Sequence, residues 1–220
     1  MKREVLIAPS ILSADFANLG QAVESVSRAD LLHFDAIDGH FAPNLTFGLP
    51  VAKRLAEISP IPLDVHLMIE NPDRWAVDYA FDNVESVTFH YGAVQAPIRL
   101  AKRLRDLGVK ACLAVRPHEG IEPILDIIQE FDMILVMTVE PGFSGQKFID
   151  TQYRKIRALR NAANTINHHL KIQVDGGVSK DNIAALYNAG ADVFVAGNAV
   201  FLADNPNDEV AKLREIAVKY

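Results

Sequence analysis

The sequence has 220 residues, half of them hydrophobic and 23% charged, with one cysteine and a formal net charge of −6. That length buries a core without metal or disulfide staples, and a single cysteine excludes a disulfide scaffold. Acidic residues outnumber basic ones, 28 against 22, and no apolar run approaches the roughly 18 residues of a membrane span, so neither nucleic acid nor membrane is expected as a partner and the chain reads as cytoplasmic.

Short runs of branched apolar residues recur at 4–8, 31–35, 63–67, 86–90, 110–115, 133–137, 171–174 and 192–196, and predict eight strands. Between them lie stretches with helical spacing, such as Phe16, Leu19, Val23 and Val26, or Ile98, Leu100, Ala101 and Leu104. Several are closed by glycine, as at Gly108 and Gly190. Cys112 falls inside the fifth strand and reads as a reduced core residue, and the charged run at 102–106 reads as the solvated face of a helix. Eight units in 220 residues leave about 27 each, enough for one strand, one helix and two short loops, so a single domain over 1–220 is expected with no linker to divide it. Strict alternation of strand and helix demands parallel strands with right-handed crossovers, and eight such units close an α/β barrel of the (β/α)₈, or TIM, type. An open doubly wound sheet fits less well, because the first strand ends Ala-Pro-Ser and the glycines gather after strands six, seven and eight.

Barrel strands are normally apolar on both faces, so polar side chains at their C-terminal ends stand out. Strand two ends in His33 and Asp35, which period-two geometry sets on one face roughly 6 to 7 Å apart. Strand three carries Asp64 and His66, strand four ends at His90, and strand seven runs into Asp175. Each of these alone reads first as a hydrogen-bonded core residue. Together, His33, Asp35, His66 and Asp175 make a set of two imidazoles and two carboxylates suited to one divalent Zn, Fe, Mn or Co ion per subunit, if the fold brings them together. Asp64 lies one step deeper and reads as structural. Asp38 and His40 read as capping or lid residues of the following loop, and His118, His168 and His169 as solvated surface near the opposite end.

The glycines supply a second feature. Gly142-Phe143-Ser144-Gly145, Gly176-Gly177 and Gly197-Asn198 follow the last three strands, and backbone amides in such loops bind a phosphate without lysine or arginine. The same glycines also suit tight turns. A metal beside a phosphate cradle suits a small sugar phosphate: the ion stabilises an enediolate, and two carboxylates on strands two and seven reach its opposite faces. One removes a proton and the other returns it, which inverts the carbon.

Six blocks carry these residues. They are 8–16 (Ala-Pro-Ser-Ile-Leu-Ser-Ala-Asp-Phe), 33–44 (His-Phe-Asp-Ala-Ile-Asp-Gly-His-Phe-Ala-Pro-Asn) and 63–68 (Leu-Asp-Val-His-Leu-Met), followed by 136–148 (Val-Met-Thr-Val-Glu-Pro-Gly-Phe-Ser-Gly-Gln-Lys-Phe), 174–178 (Val-Asp-Gly-Gly-Val) and 195–201 (Val-Ala-Gly-Asn-Ala-Val-Phe). In this order, across nearly the whole chain, they closely resemble the ribulose-phosphate 3-epimerase family. The resemblance implies a metal-dependent TIM barrel of the ribulose-phosphate-binding type. Its reaction would interconvert D-ribulose 5-phosphate and D-xylulose 5-phosphate in the pentose phosphate pathway or the Calvin cycle, and its subunits would form a homo-oligomer. It implies His33, Asp35, His66 and Asp175 as metal ligands and Asp35 and Asp175 as the acid/base pair. It implies substrate contacts from Ser10, His66, Met68, Met137, Gly142, Phe143, Ser144, Gly145, Gly176, Gly177, Gly197 and Asn198.

Four positions depart from the family's usual residue: Ile37 stands for Met, Gly92 for Glu, Ser144 for Gly and Asn198 for Ser. The residues are equally compatible with an epimerase of the same architecture acting on a hexulose phosphate such as D-allulose 6-phosphate. A decarboxylase of the orotidine-phosphate type would pair Asp with Lys on strand three, where this chain has Asp64 and His66. A binding barrel without turnover would have no need of a carboxylate on each face.

Overall fold

All eight predicted strands form: β1 (Leu6–Pro9), β2 (Leu32–Ile37), β3 (Leu63–Met68), β4 (Val84–His90), β5 (Lys110–Val115), β6 (Met133–Met137), β7 (Lys171–Asp175) and β8 (Val193–Ala196). These come from a computed structural model that describes residues 3–219; Met1, Lys2 and Tyr220, part of the expected domain span, lie outside the described residues. Strand boundaries differ from the expected ones by up to two residues. β2 runs on to Ile37 because its ladder with β3 continues to the pair Ile37 and Met68.

The strands are parallel and adjoin in the order β1-β8-β7-β6-β5-β4-β3-β2, a nearly closed barrel. Between consecutive strands run the helices α1 (Leu19–Ser25), α2 (Leu49–Ile58), α3 (Pro72–Trp75), α4 (Pro97–Asp106), α5 (Glu122–Leu125), α6 (Gln152–Ile166) and α7 (Ile183–Ala189), with α8 (Asn198–Phe201) and α9 (Pro206–Ala217) after β8. Because helices cover the outer faces, every residue of β2 and β3 is buried, as parallel sheets require. The main core lies between barrel and helices and includes Phe34, Phe89, Leu63, Val65 and Ile134.

Helix faces follow the apolar spacing with two differences. In α4, Leu100, Ala101 and Leu104 are buried as expected, but Ile98 is exposed, since at 100° per residue it sits about 110° round from the centre of that stripe. Phe16 belongs not to α1 but to a preceding 3₁₀ turn capped by Asp15, and its ring packs 4.5 Å from that of Phe47. Gly108 and Gly190 both take positive φ just past α4 and α7, the conformation that ends a helix with least strain in glycine. Cys112 is free and buried, and burial pushes its thiol well above the usual range.

The seam between β1 and β2 has no continuous ladder. It is closed instead by single links: the bridge between Ser10 and His33, the Asp30 amide donating to Ile7 O at 3.1 Å, and the Ile7 amide donating to the Asp30 carboxylate at 2.7 Å. Arg214 of α9 also reaches that carboxylate at 2.7 Å. Asp30→Ala therefore leaves the buried Ile7 amide without an acceptor and takes away the carboxylate that Arg214 of α9 pairs with. We predict a loss of about 1–3 kcal/mol, measured as a lower urea midpoint at unchanged m-value.

Candidate active site

The register of β2 on β3 sets His33 beside Asp64 and Asp35 beside His66. All four side chains point into the C-terminal end of the barrel, and His33, Asp64 and His66 are fully buried. Asp64 acts as the expected structural residue: its carboxylate contacts His33 Nδ1 at 2.7 Å and accepts from Ser86 Oγ at 2.6 Å and from the Gln173 amide. A carboxylate on Nδ1 places the His33 proton there, so Nε2 turns a lone pair toward the barrel axis.

That lone pair meets others. His33 Nε2 lies 3.3 Å from Asp35 Oδ1, 3.4 Å from His66 Nδ1 and 3.8 Å from Asp175 Oδ2. His66 Nδ1 lies 3.2 Å from Asp35 Oδ1 and 3.5 Å from Asp175 Oδ2. Four side chains thus aim one donor atom each at a common point, all within 4.8 Å of one another. A tetrahedron with bonds of about 2.1 Å has edges of about 3.4 Å, so the spacing matches one divalent ion held by nitrogen and oxygen. The chemistry of the set agrees, because facing lone pairs repel unless a cation or a proton lies among them.

The electrostatics carry the same signature. Burial alone would depress the His33 imidazole, yet the charges of Asp35 and Asp64 overcome it and raise His33 well above the usual histidine value. Burial likewise opposes a charged His66, and its contacts with Asp175 and Asp35 raise it. Burial would raise Asp35, but His33 and His66 hold it far below the carboxylate range. Ser10 Oγ donates to Asp35 Oδ2 at 2.5 Å and fixes the carboxylate's second oxygen.

Above this cluster opens a cavity of about 400 Å³. Its wall brings together Ser10, Asp35, Met68, Met137, Gly142, Phe143, Ser144, Gly145, Asp175, Gly176, Gly177, Gly197 and Asn198. His66, expected also as a substrate contact, lies buried beneath the wall with both ring nitrogens engaged. No lysine or arginine lines this cavity among the described residues, which leaves backbone amides and neutral side chains such as Ser144, Ser179 and Asn198 as donors for an anion. The glycines are needed for space as well as conformation. Gly176 has φ 119° and a Cβ there would collide with the side chain of Val139; Gly177 has φ 66° and a Cβ there would fall 2.6 Å from the backbone nitrogen of Phe148.

Loop contacts fix the rim. Thr138 Oγ1 donates to the carbonyl of Gly176 at 2.6 Å and contacts that of Asp175 at 2.8 Å, and Asn44 Nδ2 donates to Gly142 O at 2.7 Å, tying the loop after β2 to the loop after β6. Asp38 accepts from the amides of His40, Phe41 and Glu70, the capping role expected of it, while His40 is exposed on the rim. His118 is exposed as expected, but it follows β5 and so stands at the same end as the site rather than the opposite one; His168 and His169 precede β7. At Gly92, the Glu119 carboxylate takes up the space: its Oε1 lies 2.5 Å from where a Cβ would be. Ile37 packs with Ala42 and Met68 under the rim.

Sequence reasoning did not assign Thr138, Ser13 or Ser179. The last two line the cavity, and only the fold of the loops after β1 and β7 brings them there. His90 stood out as a polar strand end but received no role. Gly177→Ala is predicted to cost about 3 kcal/mol or more in denaturant unfolding, from strain plus collision with backbone. Gly108→Ala, at φ 86° with nothing within 4 Å, serves as the control and costs about 1–2 kcal/mol.

The model of the ribulose-phosphate 3 epimerase family matches residues 6–201. A ribulose-phosphate 3-epimerase of Mycobacterium tuberculosis is 49% identical over 212 residues, covering 96% of this chain and 93% of its own. One from Bacillus subtilis is 38% identical over 213 residues, covering 96% and 98%. Among solved structures, KGPDC from Streptococcus mutans superposes with a TM-score of 0.73 at 12% identity over 99% of each chain, a likeness of fold.

Proposed function

The chain belongs to the ribulose-phosphate 3-epimerase family and is an epimerase, and we propose that it interconverts D-ribulose 5-phosphate and D-xylulose 5-phosphate by proton transfer at C3 between Asp35 and Asp175. The observation that carries this reading is the convergence of His33, Asp35, His66 and Asp175 at the floor of a cavity walled by glycine loops. Relatives of up to 49% identity named for the pentulose reaction favour it over a hexulose phosphate.

His33, Asp35, His66 and Asp175 would hold a divalent ion, with Zn²⁺, Fe²⁺, Mn²⁺ and Co²⁺ all suited to two imidazoles and two carboxylates. When bound, that ion supplies a Lewis acid for negative charge developing on the sugar oxygens. The chain's residues do the rest. Gly142 to Gly145, Gly176, Gly177, Gly197 and Asn198 hold the phosphate through backbone amides. Met68 and Met137, each 2% exposed, wall the reacting carbon from water.

One carboxylate takes the C3 proton and leaves a planar enediolate. The other, protonated, gives its proton to the opposite face, so the proton count is unchanged and the configuration at C3 is inverted. Asp35 and Asp175 stand three places apart round the barrel, across the β1 and β8 strands, rather than on opposite walls. A sugar lying between them still presents a different face to each. Ser10 orients Asp35 by its hydrogen bond and also borders the cavity as a substrate contact. We place the reaction in pentose phosphate metabolism; among the described residues, no helix is long and apolar enough to cross a membrane.

Substrate incubated with the enzyme in D₂O is expected to take up deuterium at C3, and Asp175→Asn to slow that exchange by at least about 100-fold. Undiminished exchange in the variant contradicts the pairing of the two aspartates. Treatment with a chelator is expected to abolish turnover, and added Zn²⁺, Mn²⁺, Fe²⁺ or Co²⁺ to restore it. Full turnover in rigorously metal-free protein contradicts the metal's part.

A further inference from the structure

His66 has a second neighbour that the reaction does not use. His90, the last residue of β4, is fully buried, and its Nε2 lies 2.9 Å from His66 Nε2. The two rings stack with centroids 5.1 Å apart, and Phe41 covers His90 with a centroid distance of 4.5 Å. The Arg116 guanidinium lies 3.9 Å from the centroid of the Phe41 ring. His90 Nδ1 has no hydrogen-bond partner among the described residues. The His90 ring is therefore packed on both faces and has, among the described residues, one polar contact, the one with His66.

Two facing Nε2 atoms at 2.9 Å share one proton. His66 Nδ1 turns toward Asp35 and Asp175, and to offer a lone pair there it must keep its proton on Nε2. That proton needs an acceptor, and His90 Nε2 is the one in reach. We propose that His90 is a positioning residue that accepts the Nε2 proton of His66, leaving His66 Nδ1 free as a metal ligand. The inference rests on the metal reading of His33, Asp35, His66 and Asp175.

The two imidazoles of the set are thus held by different means, His33 by the carboxylate of Asp64 and His66 by a neutral ring. A further carboxylate behind His66 would add negative charge to a pocket that already holds Asp35, Asp64 and Asp175. A neutral acceptor fixes the tautomer without it.

The test is titration of the metal-free protein with Zn²⁺ and with Mn²⁺, reading the dissociation constant. His90→Leu keeps the volume and removes the acceptor, and is expected to weaken binding about 10- to 100-fold. His90→Gln offers a carbonyl oxygen in its place and is expected to recover most of that loss. If the leucine variant does not fold, His90→Met replaces it as the apolar variant. Wild-type affinity in the apolar variant overturns the proposal, as does an equal loss in the glutamine variant, which would mark a packing effect. Failure of the wild-type protein itself to bind either ion overturns the metal reading, and this proposal with it.

Discussion

Two fully buried imidazoles and three carboxylates crowd one end of the barrel, and burying so much charge is unfavourable unless each group is paired. His33 Nε2 and His66 Nδ1 lie 3.2 to 3.8 Å from each other and from the nearer oxygens of Asp35 and Asp175, too far for most to hydrogen-bond well and close enough for lone pairs to repel. A positive charge among them removes the conflict. Without a metal, that charge is a proton, which is why His33 and His66 are both raised against the effect of burial. The rest of the site follows from this requirement. Asp64 aims His33 and Ser10 aims Asp35, and Gln173 and Ser86 in turn satisfy Asp64.

The barrel makes such a cluster possible. Strand ends from β2, β3 and β7 converge only because the sheet closes, and the parallel register puts His33 beside Asp64 and Asp35 beside His66 with no loop involved. The imidazoles and carboxylates are therefore mounted on hydrogen-bonded strands, while the groups suited to phosphate lie in loops that glycine conformations shape. Those loops are in turn tied to the frame by Thr138 and Asn44. The seam between β1 and β2 is the weakest part of the sheet, and Ser10 sits on it, linked to His33 through the backbone and to Asp35 through its hydroxyl.

Much of this was legible in the residues. The count of strands followed from eight apolar runs, and the pairing of His33 with Asp35 from period two within one strand. Asp64 was readable as structural from its depth. What stayed hidden depends on relations between strands and loops. Parity says which face a residue takes but not which residue of the next strand stands beside it, so the contact between His66 and His90 had no signal in the spacing. His118 stands at the site's end and not the opposite one, although the expected strand at 110–115 already puts it in the loop after β5. Gly92 read as a missing glutamate, whereas Glu119 from the neighbouring loop brings its carboxylate to that place.

The central claim is that four side chains enclose one cation. A crystal of the protein soaked or grown with Mn²⁺ or Zn²⁺, measured at the absorption edge of that ion, places it directly by anomalous scattering. One peak per chain is expected, about 2.0–2.2 Å from His33 Nε2, His66 Nδ1 and an oxygen of each of Asp35 and Asp175. A peak elsewhere on the chain, or no peak with those four side chains in the same positions, would contradict it.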